Sequence, residues 1–203
     1  MAKKKPPAPV LPAWTTINTH LTLYHGCVAT AAARIRVAVG TRIGSPNTDF
    51  GCGFYTTTRL DQAEEWARER YWDKYPAGNP VDLPVAVQFV VPLADLADLN
   101  SLMFVRGDPT NVTFWSLIRH CRAGNSHAHP VRISPNDWYD MVVGPVASWP
   151  PKAGKPLYSL GAWDGTNWAA YDQFSFHTAA ATTVLNSLNR ANPAEFDVLP
   201  VKP

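Results

Sequence analysis

Apolar and polar positions along this chain fall into short periodic runs broken by glycine and proline. Residues 21–27, Leu-Thr-Leu-Tyr-His-Gly-Cys, read as a strand that ends in His25-Gly26. Residues 54–58, Phe-Tyr-Thr-Thr-Thr, are aromatic or β-branched and read as a second strand, entered through the glycine turn Asp49-Phe50-Gly51-Cys52-Gly53. Thr58-Arg59-Leu60-Asp61 resembles a capping box, so a helix is predicted over residues 61–72. Its packing face carries Ala63, Trp66, Ala67 and Arg70 or Tyr71, and Glu64, Glu65, Arg68 and Glu69 lie largely opposite. Between the first strand and the glycine turn, residues 27–46 suggest a short helix or turn and then a strand. Residues 83–91 are almost uniformly apolar and predict a central strand, followed by a helical or turn segment over residues 93–103.

Further on, residues 114–120 predict a helix, and residues 138–146 a strand that stops at Gly144-Pro145. Residues 171–177 alternate with period two. Phe174 and Phe176 point one way, into a core, and Gln173, Ser175 and His177 point the other. Thr178 caps a predicted helix from Ala179 to about Leu188, with Val184, Leu185 and Leu188 as its apolar edge.

Composition narrows the class. The 203 residues are 46% hydrophobic and 17% charged, which suits one sizeable core. We expect a domain over residues 19–190, a basic proline-rich tail over residues 1–18 and a loose C-terminal tail over residues 191–203. The 19 prolines favour loops over long helices. A net charge of +2 gives no broad field to recruit nucleic acid or membrane, although Arg34, Arg36 and Arg42 could meet a pyrophosphate. Three cysteines without a pairing pattern fit a reducing compartment, and neither a membrane span nor a secretion signal is legible, so a cytoplasmic protein is expected. His120-Cys121 and His127-x-His129 form a Cys/His-rich patch whose spacing matches no standard zinc signature, and no metal is expected there.

The motifs stand in a recognisable order. Tyr24-His25-Gly26 is followed by Asp49-Phe50-Gly51-Cys52-Gly53-Phe54-Tyr55-Thr56, then by Gln62-Ala63-Glu64-Glu65-Trp66-Ala67. Residues 139–147 (Tyr-Asp-Met-Val-Val-Gly-Pro-Val-Ala) and 172–178 (Asp-Gln-Phe-Ser-Phe-His-Thr) complete the series. In this order the chain resembles a small bacterial ADP-ribosyltransferase-like domain family, long catalogued as of unknown function. It looks like a His-Tyr-Gln variant of the His-Tyr-Glu transferases. The resemblance covers roughly residues 21–188. It implies an α+β ADP-ribosyltransferase-like fold, with two packed, mostly antiparallel sheets around an NAD cleft and helices at the periphery.

It also implies an activity, mono-ADP-ribosyl transfer from NAD, the substrate, to a protein, RNA or DNA acceptor. The chain then resembles the toxin of a toxin–antitoxin or phage-defence system, or a secreted effector, with an antitoxin or immunity protein as partner. The implied catalytic residues are His25, Tyr55 and Gln173. His25 would hold the adenine ribose hydroxyl, the Gly26 backbone would read the nicotinamide amide, and Tyr55 would stack on the ring. The implied NAD-binding set is Tyr24, His25, Gly26, Phe50, Gly51, Gly53, Phe54, Tyr55, Thr56 and Ser175. Gln173 is the departure. The glutamates are Glu64, Glu65, Glu69 and Glu195, none on the strand where the class carries its acid. A glutamine can accept a hydrogen bond from a ribose hydroxyl but carries no charge.

Two other classes remain open: an NAD glycohydrolase, in which water replaces the acceptor, and a nucleotide-binding module that has lost catalysis. A doubly wound dinucleotide fold is disfavoured, because Gly51-Cys52-Gly53 leads into a strand and not a helix. Cys52 as a nucleophile with His25 as its base is weighed against a buried, inert thiol.

Overall fold

The computed structural model describes residues 19–40, 47–104, 112–125, 139–147 and 171–203. The N-terminal tail, Arg42, His127, His129 and Trp138 lie outside the described residues. The chain is α+β with two sheets. The first runs β1-β3-β7, with β1 His20–Val28, β3 Pro84–Pro92 and β7 Phe196–Pro200, both pairings antiparallel. The second runs β2-β6-β5-β4, with β2 Phe54–Thr56, β4 Ser101–Met103, β5 Met141–Pro145 and β6 Asp172–Phe176. Among the described residues its only parallel pairing is β4 with β5. A single bridge between Tyr24 and Thr57, whose amides and carbonyls bond reciprocally at 2.7 and 2.9 Å, ties β1 to the end of β2.

The largest core lies where the sheets face each other. Leu23, Val87, Phe89 and Val91 come from the first sheet, and Phe54, Met141 and Phe176 from the second. A second core, Phe50, Phe104, Phe114, Trp115, Leu117, Ile118 and Val142, packs around α4, Val112–Arg122. Helix α1, Ala29–Val37, has no side-chain cap of its own. Asp82 supplies one from a distance. Its carboxylate accepts from the Thr30 backbone N–H at 2.7 Å, the Thr30 hydroxyl, Lys74 and Tyr75. It thereby staples the start of α1 to the end of α2, Leu60–Lys74.

Four expectations are corrected. The predicted C-terminal tail contains β7, because Phe196 is fully enclosed by the main core and pairs with Phe89. Residues 38–40 after α1 form no strand, and residues 41–46, where the rest of the expected strand falls, lie outside the described residues. The Thr58 hydroxyl does not cap α2; it donates to Asp172, and Arg59 occupies the cap position. Gln62, not Trp66, joins Ala63, Ala67 and Tyr71 on the buried face of α2, because its amide bonds both Thr57 and the backbone of Asp172. The segment after β3 divides into α3, Leu93–Ala97, and the edge strand β4. Thr178 does cap α5, Ala179–Asn186, by accepting from the Ala181 N–H.

Candidate functional site

The bridge between β1 and β2 brings His25 beside Tyr55. The Nδ1–H of His25 donates to the Tyr55 carbonyl at 2.6 Å, and the ring stacks on Phe54 at 4.5 Å between centroids. A carbonyl can only accept, so the bond fixes the tautomer: Nδ1 carries the proton and Nε2 is left as an acceptor. Burial holds the imidazole down to about 4, against the weaker opposing pull of that same bond, so the ring is neutral near pH 7. No described residue bonds to Nε2. Arg70, exposed on α2, is near enough for its charge to act on the ring.

Next to His25 the chain must be glycine for a packing reason. A Cβ on Gly26 would stand 1.9 Å from the Ala63 carbonyl oxygen of α2. Helix α2 lies directly on β1, and Tyr24 packs beside Ala63 and Ala67.

The glycine turn is locked from within. Gly51 takes φ of 82°, a left-handed conformation that costs glycine little. The Tyr55 hydroxyl closes the turn. It donates to the Gly51 carbonyl at 2.7 Å and accepts from the Phe50 N–H and the Thr48 hydroxyl. Burial raises this phenol far above its ordinary range, so it does not ionise. Phe50 is swallowed by the second core, against Phe104 and Phe114, and Phe54 by the main one. Thr56 is fully buried.

Strand β6 obeys its predicted alternation, but its polar face is buried too. Ser175, opposite Tyr55 in register, places its hydroxyl 3.0 Å from the Val142 carbonyl and 2.8 Å from His177 Nε2. The other His177 nitrogen, Nδ1, donates to the Cys52 carbonyl at 3.0 Å, and the ring meets Tyr55 edge-on at 6.4 Å. Gly53 leaves room for that ring: a Cβ there would come 2.8 Å from Nδ1. Cys52 thus meets His177 through its backbone, while His25 is bonded elsewhere. The thiols of Cys27 and Cys121 are pushed up to about 12 by burial and are inert.

Gln173 is buried at the end of the same face. Its amide nitrogen donates to Asp49 Oδ2 at 2.8 Å and to the Pro145 carbonyl at 3.1 Å. Asp49 also accepts from the Ala147 N–H at 2.7 Å and from Arg122 Nε at 2.8 Å, and a second guanidinium nitrogen of Arg122 reaches both Asp49 and the Ala147 carbonyl. Burial pushes the Asp49 carboxyl upward, opposed by Arg122, Gln173 and the Ala147 amide. The side chains of this pair are 10% and 8% exposed, so it is an interior ion pair.

The structure therefore joins His25, Phe54 and Tyr55 in one contact set, and Tyr55, Ser175 and His177 in another. Phe50, Phe54 and Thr56 turn their side chains into the interior, where a ligand could meet only their backbone. Arg34 bonds its own helix, and Arg36 lies over Phe196, 5.0 Å from the ring centre. Motif reading quoted Asp49 without giving it a role and did not single out Arg122. Asp49 opens the glycine motif, an acid directly before a fully apolar Phe50, and that contrast was the available signal.

The family described as "Protein of unknown function (DUF3990)" matches residues 21–187. The chain belongs to that family. The DUF3990 match begins within β1 and ends just after α5, so it contains every element that carries His25, Tyr55 and Gln173. No curated protein and no solved structure matches the chain significantly. None of the helices among the described residues is long and apolar enough to cross a membrane. Among the same residues no cluster of His, Cys, Asp and Glu could hold a metal ion.

Proposed function

We propose that this DUF3990 protein is a mono-ADP-ribosyltransferase, of ADP-ribosyltransferase-like fold, which cleaves NAD and passes ADP-ribose to a protein or nucleic-acid acceptor. One observation carries the reading. Three motif residues from distant parts of the chain meet on β1, β2 and β6, with His25 bonded directly to the Tyr55 backbone and Tyr55 paired across the sheet with Ser175. Breaking the bond between nicotinamide and ribose develops positive charge on the sugar. A site for it needs fixed acceptors for the ribose hydroxyls, a surface for the flat ring and no competing cation at the reacting carbon.

His25 meets the first need. It is neutral, and its tautomer offers Nε2 to a hydroxyl donor. The half-buried Tyr55 ring, immobilised by three bonds at its hydroxyl, is a preorganised surface for stacking. Gln173 offers Oε1 to a second hydroxyl. We further infer a cytoplasmic toxin or delivered effector, neutralised by an antitoxin or immunity protein. What supports this part is the resemblance.

The test is incubation with labelled NAD and a cell lysate, separated into protein, RNA and DNA. His25→Ala and Tyr55→Ala proteins, checked for folding, serve as controls. Label in one fraction that both substitutions abolish is the expected result. Free ADP-ribose without labelled macromolecule would replace the transferase with a glycohydrolase. Binding of NAD without turnover would leave a nucleotide-binding module.

A further inference from the structure

Gln173 presents two N–H groups, and both are spent on acceptors inside the protein: the Asp49 carboxylate and the Pro145 carbonyl. Turning the amide over would aim its oxygen at two other oxygens, so the orientation is fixed by chemistry. No described residue donates to Oε1. We propose that Asp49 is a positioning residue: it sets the Gln173 carboxamide with Oε1 as the outward acceptor and lends that oxygen negative charge for the cation that forms at the ribose.

The proposal rests on the transferase reading. Its structural half stands on the geometry alone. An amide N–H bonded to a buried carboxylate polarises its own carbonyl, and in a low-dielectric interior such coupled bonds strengthen one another. Asp49 is placed for this by both ends of its carboxylate. Arg122 holds Oδ1, while the Ala147 N–H and Gln173 hold Oδ2. Burial disfavours the charged form of Asp49, and the Arg122 guanidinium bonded to it opposes that effect. An interior ion pair is a costly way to gain stability, since apolar residues of similar volume often do as well. The arrangement makes sense as a means of orienting a neutral side chain that must act where charge develops. Asp49 thereby takes up part of the task that a carboxylate at position 173 would perform directly.

The experiment uses the full chain with Asp49→Asn and two readouts. The first needs no substrate: the side-chain amide signals of Gln173 in a 1H–15N spectrum. In the unsubstituted protein the two protons should be well separated, the one facing Asp49 shifted downfield, and in Asp49→Asn that shift should disappear. The second is nicotinamide release from NAD. Asp49→Asn should lower kcat about 10- to 100-fold with KM changed by less than about 3-fold, the size of effect expected when a residue that orients a reacting group is lost. Asp82→Asn, destabilised but remote from the site, serves as the control for lost stability and should leave kcat per folded molecule unchanged. Amide signals that do not respond to Asp49→Asn overturn the proposal whatever the activity. Responding signals with unchanged kcat overturn its catalytic half. A parent protein that folds, shows the shifted amide and leaves NAD intact overturns the transferase reading instead and keeps the positioning.

Discussion

The two faces of β6 are built on different principles. One face carries Phe174 and Phe176 into the core between the sheets, where Leu23, Val87, Phe89 and Phe196 need only fit. The other carries Gln173, Ser175 and His177 against the second core, where the Gln173 amide N–H groups meet Asp49 and Pro145, the Ser175 hydroxyl meets Val142, and His177 meets Cys52. Packing is non-directional and tolerates exchange of like for like. A buried hydrogen-bond network specifies one arrangement and fails abruptly when a member is missing. The face that fixes orientation is also the one on which candidate site residues lie, and that coincidence is the lesson of the comparison.

The comparison can be broken by removing one member from each face. Arg122→Ala should cost about 3–5 kcal/mol, because it leaves Asp49 buried and uncompensated. Phe176→Ala should cost a similar 3–5 kcal/mol through a cavity. The two separate on a second substitution. Adding Asp49→Leu to the Arg122→Ala protein should recover part of the loss in urea unfolding, since it removes the orphaned charge. No polar-to-apolar change should rescue Phe176→Ala. Gly26→Ala comes next. Its Cβ would strike the backbone of α2, which cannot swing aside like a side chain, so a loss of about 3 kcal/mol is expected in the same assay.

Asp82→Asn should cost about 1–2 kcal/mol, and it sharpens the comparison because Asp82 is a buried acid outside the site. Burial alone would raise this carboxyl. The bonds from Tyr75, Thr30 and Lys74 outweigh it and hold it below the usual carboxylate range. A folded-state pKa below the unfolded one contributes stability at neutral pH that is lost as pH falls, so the gap between Asp82→Asn and the parent should narrow in acid. His25 adds to the acid loss in both proteins, because the unfolded chain takes up its proton near 6.5 and the folded one only at about 4. The smallest effect is expected for Tyr55→Phe, about 1 kcal/mol, with weaker protection of the Phe50 amide in hydrogen exchange because its acceptor is gone.

Much of this was legible in advance. Period-two alternation placed Phe174 and Phe176 in the core, and Ser/Thr capping chemistry found the start of α5 at Thr178. The helix α2 was found, but Gln62 was not placed on its buried face, because an isolated glutamine gives no sign of the backbone it will meet 110 residues away. β7 was missed for a similar reason. Residues 196–200, Phe-Asp-Val-Leu-Pro, look like the edge of a loop until β3 is there to pair with them. Of the candidate site, His25, Tyr55 and Gln173 came from motif order. The Asp49–Arg122 pair did not, since nothing local links an acid before a glycine turn to an arginine at the end of a helix 73 positions later.

The pairing of β2 with β6 joins residues separated by about 118 positions. Loop closure on that scale is slow, and a chain grows from its N-terminus at a finite rate. His25 and Tyr55 are therefore synthesised long before the strand that bears Gln173. While the ribosome is still reading the middle of the message, the nascent protein holds His25 and Tyr55 and cannot hold Gln173. Premature termination anywhere before residue 172 would release a product with the motif's beginning and none of its end.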